Sequence, residues 1–154
     1  MNVVLVEPEI PWNAGNIGRT CVAAGAALHL VGRLGFRIGA REIRRSGLDY
    51  WPRLRLFRHE SLAAFEASLP PRASVLLFTT QARGSFWKAP YRKDSYLIFG
   101  RESTGLPPSV LRRHAGRVFR IPMAPEARSL NLSTAAGIVL YEALRRTGGL
   151  PGPL

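Results

Sequence analysis

Three features of the 154-residue sequence predict an α/β fold, a mostly parallel sheet flanked by helices. Short runs such as Val3 to Val6, Val75 to Phe78 and Tyr96 to Phe99 are apolar throughout, as strands covered on both faces must be. Segments with helical spacing separate these runs in alternation. No linker, repeat or low-complexity stretch interrupts the chain, and its length suits one domain with a core of its own, so residues 1–154 are read as a single domain.

Strands are expected at residues 3–6, 28–31, 54–57, 75–78, 96–99 and 117–121. Pro8 and Pro11 mark residues 7–13 as an irregular loop, and a helix follows over 14–24 with Gly25 just past its end. Residues 41–45 read as a short basic helix stopped at Gly47. Ser61 caps a helix to Leu69, which Pro70 and Pro71 terminate. Residues 79–93 read as a long loop, and Pro107 opens a helix at its first position that lasts to about His114. The last helix is the clearest element. Leu132, Ala135, Ala136, Val139, Leu140, Ala143 and Leu144 share helical spacing, Glu142 faces Arg145 or Arg146, and Gly148-Gly149 closes it.

Charge narrows the class of partner. Lys and Arg number 22 against 10 Asp and Glu, giving +12, a field that draws polyanions and binds nucleic acid by counterion release. The basic residues at Arg41, Arg44 and Arg45 are the densest cluster. A single cysteine, Cys21, excludes a disulfide framework or a Cys-rich zinc site. The longest apolar stretch, Cys21 to Val31, is far shorter than the roughly 20 residues of a membrane span, and no signal peptide fits the start. The expectation is a cytoplasmic protein with no metal and no membrane partner.

Three loops follow strands, where open α/β sheets bind ligands. The first, residues 8–19, has Gly15 and Gly18 in a GxxG spacing that does not match the GxGxxG of dinucleotide cofactors. Asn13 and Asn16 there read most simply as a cap and a turn residue, and Arg19 as a surface ion pair. In the second, residues 99–107, Gly100 and Gly105 allow a tight turn, and Glu102 serves as a base or accepts loop amides. In the third, residues 121–133, Ser129 or Asn131 would cap the last helix, at whose N-terminus an anionic group could sit.

In order and spacing these segments resemble the three motifs of the SPOUT superfamily of S-adenosylmethionine-dependent RNA methyltransferases, in particular its TrmL (YibK-type) branch. The carrying residues are PEIPWNAGNIGRTC at 8–21, RRSGLDYWP at 44–52, IFGRESTGLP at 98–107 and IPMAPEARSLNLSTAAGIVLYEALR at 121–145, almost the whole chain. Trp12 and Gly18 depart from the family's usual smaller or aliphatic residues, and Trp12 would alter the RNA-facing loop.

The resemblance implies a deep C-terminal trefoil knot, a homodimer, and S-adenosylmethionine held in the knot by Phe78, Gly100, Ile121, Ser129 and Leu130, largely through backbone. Residues 14–24 and the last helix would form much of the dimer interface, which fits their Ala- and Gly-rich faces. The implied reaction is 2′-O-methylation of the wobble nucleotide, cytidine or uridine 34, in the anticodon loop of a tRNA. A minimal domain of this kind would bind RNA with the dimer surface itself. The sulfonium is already activated, so the protein must align the reacting atoms and help the hydroxyl lose its proton. Arg19 matches the family's essential arginine. It would clamp a phosphate and stabilise alkoxide charge, since a guanidinium stays protonated. Asn131 would orient the substrate or Arg19, and Glu102 would fix the loop or Arg19. His29, His59 and His114 lie outside every motif. The competing readings are methylation of another tRNA or rRNA nucleotide, a non-catalytic RNA-binding module, and a nucleotide-cofactor oxidoreductase.

Overall fold

A computed structural model describes residues 1–37 and 50–149. The expected basic helix at Arg41 to Arg45 lies outside the described residues. Seven strands form one sheet: β1 (Asn2–Val6), β2 (Ala27–Val31), β3 (Arg55–His59), β4 (Val75–Phe78), β5 (Gly84–Ser85), β6 (Tyr96–Phe99) and β7 (Val118–Arg120). Their order is β3-β2-β1-β6-β4-β7-β5, and every pairing is parallel.

Alternate strand residues feed two cores, one on each face of the sheet. Val3, Leu5, Leu28, Leu30, Leu76, Leu97 and Phe99 face α1 (Pro11–Ala23) and α4 (Leu132–Thr147), which also pack on each other. Val4, Val6, Val31, Leu77 and Ile98 face the other way, toward Phe65 of α2 (Leu62–Ala67) and Val110 of α3 (Pro108–Arg113). With both faces covered, β1, β2, β4 and β6 have no need of polar alternation, and their apolar runs follow from that.

Several boundaries differ from the sequence reading. Pro11 does not prevent regular structure but occupies the first turn of α1, where a missing N–H is no loss. Pro107 is the residue before α3 and Pro108 its first. The stretch 79–93 is not all loop: Gly84 and Ser85 pair with Phe119 and Arg120 at the sheet edge, and a 3-10 turn follows at Phe86–Lys88. Two residues of strand carry too little pattern to be seen. The caps match expectation: the Ser61 hydroxyl accepts from Ala64 N–H at 3.1 Å, and Gly148 closes α4 with φ +63°.

The Ala- and Gly-rich helix faces pack within the chain. Ala14, Gly15 and Gly18 of α1 are buried, and a Cβ on Gly18 would lie 3.2 Å from Leu54 and 3.3 Å from Trp51. Ala136 and Ala143 of α4 are buried as well. These small residues let the two helices pack closely within the chain, while Ala23 of α1 is exposed and Gly137 of α4 borders open space.

Candidate active site

The carboxyl ends of the four adjacent strands β1, β6, β4 and β7 open into one cavity of about 490 Å³. Its walls come from the loops that follow those strands, residues 7–10, 100–107, 79–83 and 121–131, and from the first turns of α1 and α4. The chain runs from β1 outward to β2 and β3, then returns to the other side of β1, so a topological switch lies beside it, where parallel sheets place ligands.

One directional chain of hydrogen bonds ties the three motif loops together. The Glu102 carboxylate accepts from the backbone N–H of Glu9 (2.8 Å) and Ile10 (3.2 Å) and from Nδ2 of Asn13 (3.0 Å). An ionised carboxylate only accepts, so Asn13 must turn its nitrogen to Glu102 and its oxygen away. That oxygen accepts from Nδ2 of Asn131 at 3.0 Å. Asn131 Oδ1 in turn caps α4, accepting from the N–H of Ser133 (2.8 Å) and Thr134 (3.3 Å) and from Ser133 Oγ (2.7 Å). Backbone donors at one end and a carboxylate at the other leave each amide a single orientation. Asn13 is buried at 4% exposure, and every polar atom of its side chain is used.

Two further carboxylates clamp the same loops. Glu9 accepts from Ser103 N–H (3.0 Å) and Oγ (2.9 Å), and the Ser103 bonds hold its carboxyl below the usual range. Glu7 pairs with Arg101, whose Nε donates at 2.9 Å. The 100–107 loop folds on itself: a Cβ on Gly100 would lie 2.2 Å from the Gly105 carbonyl carbon, and Gly105 has φ +70°. No Cβ fits at Gly100, and the left-handed backbone at Gly105 favours glycine.

All five residues expected at the cofactor line this cavity: Phe78, Gly100, Ile121, Ser129 and Leu130. The Phe78 ring stacks on Phe99 at 5.3 Å within the core, so its backbone is the part it offers. Glu102 and Asn131 line the cavity too, whereas Arg19 does not. Arg19 stands on the exposed side of α1 with its guanidinium 4.9 Å from the ring centre of Tyr50. Among the described residues no hydrogen bond joins it to Glu102 or Asn131, whose partners lie elsewhere. The residue that local reading passed over is Asn13, taken for a cap; it is the hub. The one signal in the sequence was an asparagine within a motif, because its partners lie 89 and 118 positions away.

The cavity suits a cofactor of S-adenosylmethionine's size and mixed character. It has apolar walls at Phe78, Ile121 and Leu130, hydroxyl and amide groups beside them, and a turn whose glycines bring backbone close. None of His29, His59 or His114 lines it. Among the described residues no cluster of three or more His, Cys, Asp or Glu is placed to hold a metal, and no helix is long and apolar enough to cross a membrane. Burial pushes the Cys21 thiol up to about 12, which makes it a core residue and not a nucleophile.

A parallel sheet with a cofactor-sized cavity, closed by three loops bearing methyltransferase-like motifs, defines the class. The profile of the SpoU rRNA Methylase family matches residues 1–141, and the chain belongs to that family, as its motifs implied. Its relatives sharpen the assignment. The tRNA (cytidine(34)-2'-O)-methyltransferase of Escherichia coli K12 is 43% identical over 150 residues, covering 96% of this chain and 94% of that one. A solved structure described as "Structural insights into the 2-OH methylation of C/U34 on tRNA" has a TM-score of 0.91 and 46% identity over 94% of each chain. The AdoMet-bound rRNA methyltransferase of Sinorhizobium meliloti has a TM-score of 0.83 and 31% identity, covering 94% of this chain and 56% of that one.

Proposed function

We propose that this chain transfers a methyl group from S-adenosylmethionine to the 2′-hydroxyl of nucleotide 34, a cytidine or uridine, in the anticodon loop of tRNA. The observation that carries the reading is the convergence of the three motif loops on one cavity, joined to relatives of that name at over 40% identity along nearly the full length. Bound there, S-adenosylmethionine supplies an already activated methyl group.

Phe78, Gly100, Ile121, Ser129 and Leu130 hold the cofactor, chiefly through backbone groups. Glu102 positions the start of α1 and, through Asn13, sets Asn131, so both act by fixing the loops. Asn131 orients the ribose. Arg19 binds a phosphate and stabilises charge on the attacking oxygen. None of the three histidines lines the cavity, so no base is assigned to them.

The site is completed by a second copy of the chain. Arg19 faces away from its own cavity, which supports a role in the partner's. Trp87 (52% exposed), Ile138 (37%) and Tyr141 (45%) form an apolar patch beside α4 that a homodimer would cover. We read the chain as one cytoplasmic domain with a knotted C-terminal half. The late strands β6 and β7 lie between earlier strands, β1 and β4 or β4 and β5, an arrangement that threading produces.

Purified protein given S-adenosylmethionine with a labelled methyl group should modify tRNA, and mapping should find 2′-O-methylation at nucleotide 34. Label at another tRNA position or in rRNA would move the substrate and keep the chemistry. No cofactor binding by calorimetry would leave a non-catalytic RNA-binding module. Arg19→Ala should fold and bind cofactor normally yet lose on the order of 10²–10³ in rate, with little rescue by Arg19→Lys, whose point charge lacks the planar fork. Mixing Arg19→Ala subunits with cofactor-defective subunits should restore activity, since half of the sites in a mixed dimer then carry neither lesion. Mixed dimers that form but stay inactive would place Arg19 in its own subunit's site or outside catalysis.

A further inference from the structure

Two acid-free stretches of chain meet at one edge of the sheet. Neither Ala67 to Lys93 nor Ser103 to Pro125 contains an Asp or Glu, and β5 and β7 lie within them. They carry Arg83 just before β5, Arg112 in α3, Arg117 just before β7 and Arg120 at its end, and all four are exposed. Gly84 pairs with Phe119 and Ser85 with Arg120, which sets Arg83 beside the strand that Arg117 and Arg120 flank and end. Phe119 enters the core under α1 and α4, so by strand alternation Arg120 stands on the opposite face with Val118, which packs on the core that includes Val110 of α3. The acidic partner in this region, Glu66 of α2, takes Arg113 at 2.9 Å and lies 3.5 Å from His114. Arg83, Arg112, Arg117 and Arg120 have no ion pair among the described residues. Like charges with no anion between them repel one another, which costs the fold stability. The row begins at the cavity, because Ile121 and Gln81 line it and Arg120 and Arg83 are one and two residues from them. At a strand rise of about 3.3 Å per residue it runs about 10 Å from Arg120 down to Arg117. The outer side of α1 and the patch beside α4, which a second copy would cover, belong to the other face of the sheet.

We propose that Arg83, Arg112, Arg117 and Arg120 form a track for the phosphate backbone of the substrate RNA, leading away from the nucleotide held at the cavity. The inference rests on the RNA methyltransferase reading above. A guanidinium grips a phosphate through two parallel N–H bonds, which suits it to this partner. Residues 111–120 expose no Phe, Tyr or Trp ring, Phe119 being buried, so the surface offers an unpaired base nothing to stack on. Backbone contacts of this kind fix register and orientation without reading sequence. Each phosphate that an arginine neutralises releases counterions, and the track thereby turns part of the +12 charge into a local hold on RNA. The four arginines are substrate-positioning residues and take no part in methyl transfer.

The test uses the full protein, unmodified tRNA, and variants in which these arginines are changed to Gln, singly and together. Each substitution should weaken tRNA binding about 5- to 8-fold at roughly 0.1 M salt and lower the slope of log affinity against log salt by about 0.7–0.9. The quadruple variant should lose about 3 from that slope. Its KM for tRNA should rise, while cofactor affinity and the rate at saturating tRNA hold and its urea midpoint is no lower than that of the wild type. Arg58→Gln is the matched control, because Arg58 is exposed on β3 at the opposite edge of the sheet. An equal loss from Arg58→Gln would overturn the proposal, since the attraction would then be the field of the whole protein. So would a quadruple variant that keeps the wild-type salt slope, or one that dissociates into monomers on sedimentation, which would make this edge an interface between copies. If the wild type binds tRNA but methylates none, the enzymatic reading fails while the salt slopes still decide the track.

Discussion

The cavity and the β2–β3 edge both bury polar side chains, and they do so by opposite means. Around the cavity, Glu102, Asn13 and Asn131 link residues 89 to 118 positions apart. At the edge, His29 and His59 lie on neighbouring strands, 30 positions apart, with Nδ1 and Nε2 3.0 Å from each other. The first network leaves an open space that its members surround. The second leaves no such space: Phe57 stacks on His29 at 4.7 Å, Phe65 and Tyr96 meet it edge-on, and Asn2 takes the other imidazole nitrogen at 3.3 Å. Histidine is the residue most often sought as a base, yet here the histidines are packing and the amides build the site. Residue type alone misleads, and what a buried polar group leaves open beside it is the better guide.

Breaking the loop that forms the cavity floor should have the largest effect. Gly100→Ala places a methyl 2.2 Å from the Gly105 carbonyl carbon, so the loop must move as a whole. We expect a loss of activity on the order of 100-fold or more from misplacement alone, with cofactor affinity falling and about 1–3 kcal/mol of stability lost to overpacking. Gly116→Ala is the matched control, because a Cβ there meets nothing within 4 Å. Equal cofactor affinity in the two variants would show that the 100–107 loop does not hold the ligand.

Next comes the hub. Asn13→Ala removes two hydrogen bonds and leaves Glu102 and Asn131 each short of a partner, which should cost about 1–3 kcal/mol. Asn13→Asp should cost more than Asn13→Ala despite its matching shape, since it sets a second carboxylate against Glu102 and donates nothing. Urea denaturation with a methyl-transfer assay checks both. An Asn13→Asp protein as stable as the wild type would mean that the directional network is not what positions the loops.

That network is also where the sequence was hardest to read. Strands β4 and β6 match expectation residue for residue, because uniform apolarity is a local signal. The capped ends of α4 are local too. The pairing of Asn13 with Glu102 and Asn131 is set by how three strands lie side by side, which no periodicity within a segment encodes. The motifs brought the right loops to attention, and five expected cofactor contacts do line one cavity, while Arg19, which the resemblance assigns to the partner's site, lies outside its own chain's cavity. Pro11 was misjudged for a related reason: its effect depends on helix position, and the carboxylate that holds Glu9 and Ile10 comes from elsewhere in the chain.

The histidine pair gives the smallest effect and the sharpest contrast. Burial lowers the His29 pKa from 6.5 to about 4, with the neighbouring His59 charge a lesser cause, and burial lowers His59 as well. The folded state therefore resists a proton that the unfolded chain accepts near pH 6.5. Stability is full above about pH 7 and declines as pH falls through the unfolded value toward 4, below which the loss is complete. Because the edge of the sheet admits some solvent, the expected loss for His29 is about 1–2 kcal/mol, less than the full shift would give. Urea midpoints measured from pH 7.5 to 5 should fall for the wild type. The decline should flatten in His29→Leu, which keeps the apolar packing and removes the titrating ring, whatever its stability at neutral pH. Cofactor binding, governed by the amide network at the other site, should not follow the same titration. A wild type whose stability stays level from pH 7.5 to 5, or a His29→Leu protein that declines in parallel with it, would show that the pair is already solvated despite its stacked rings.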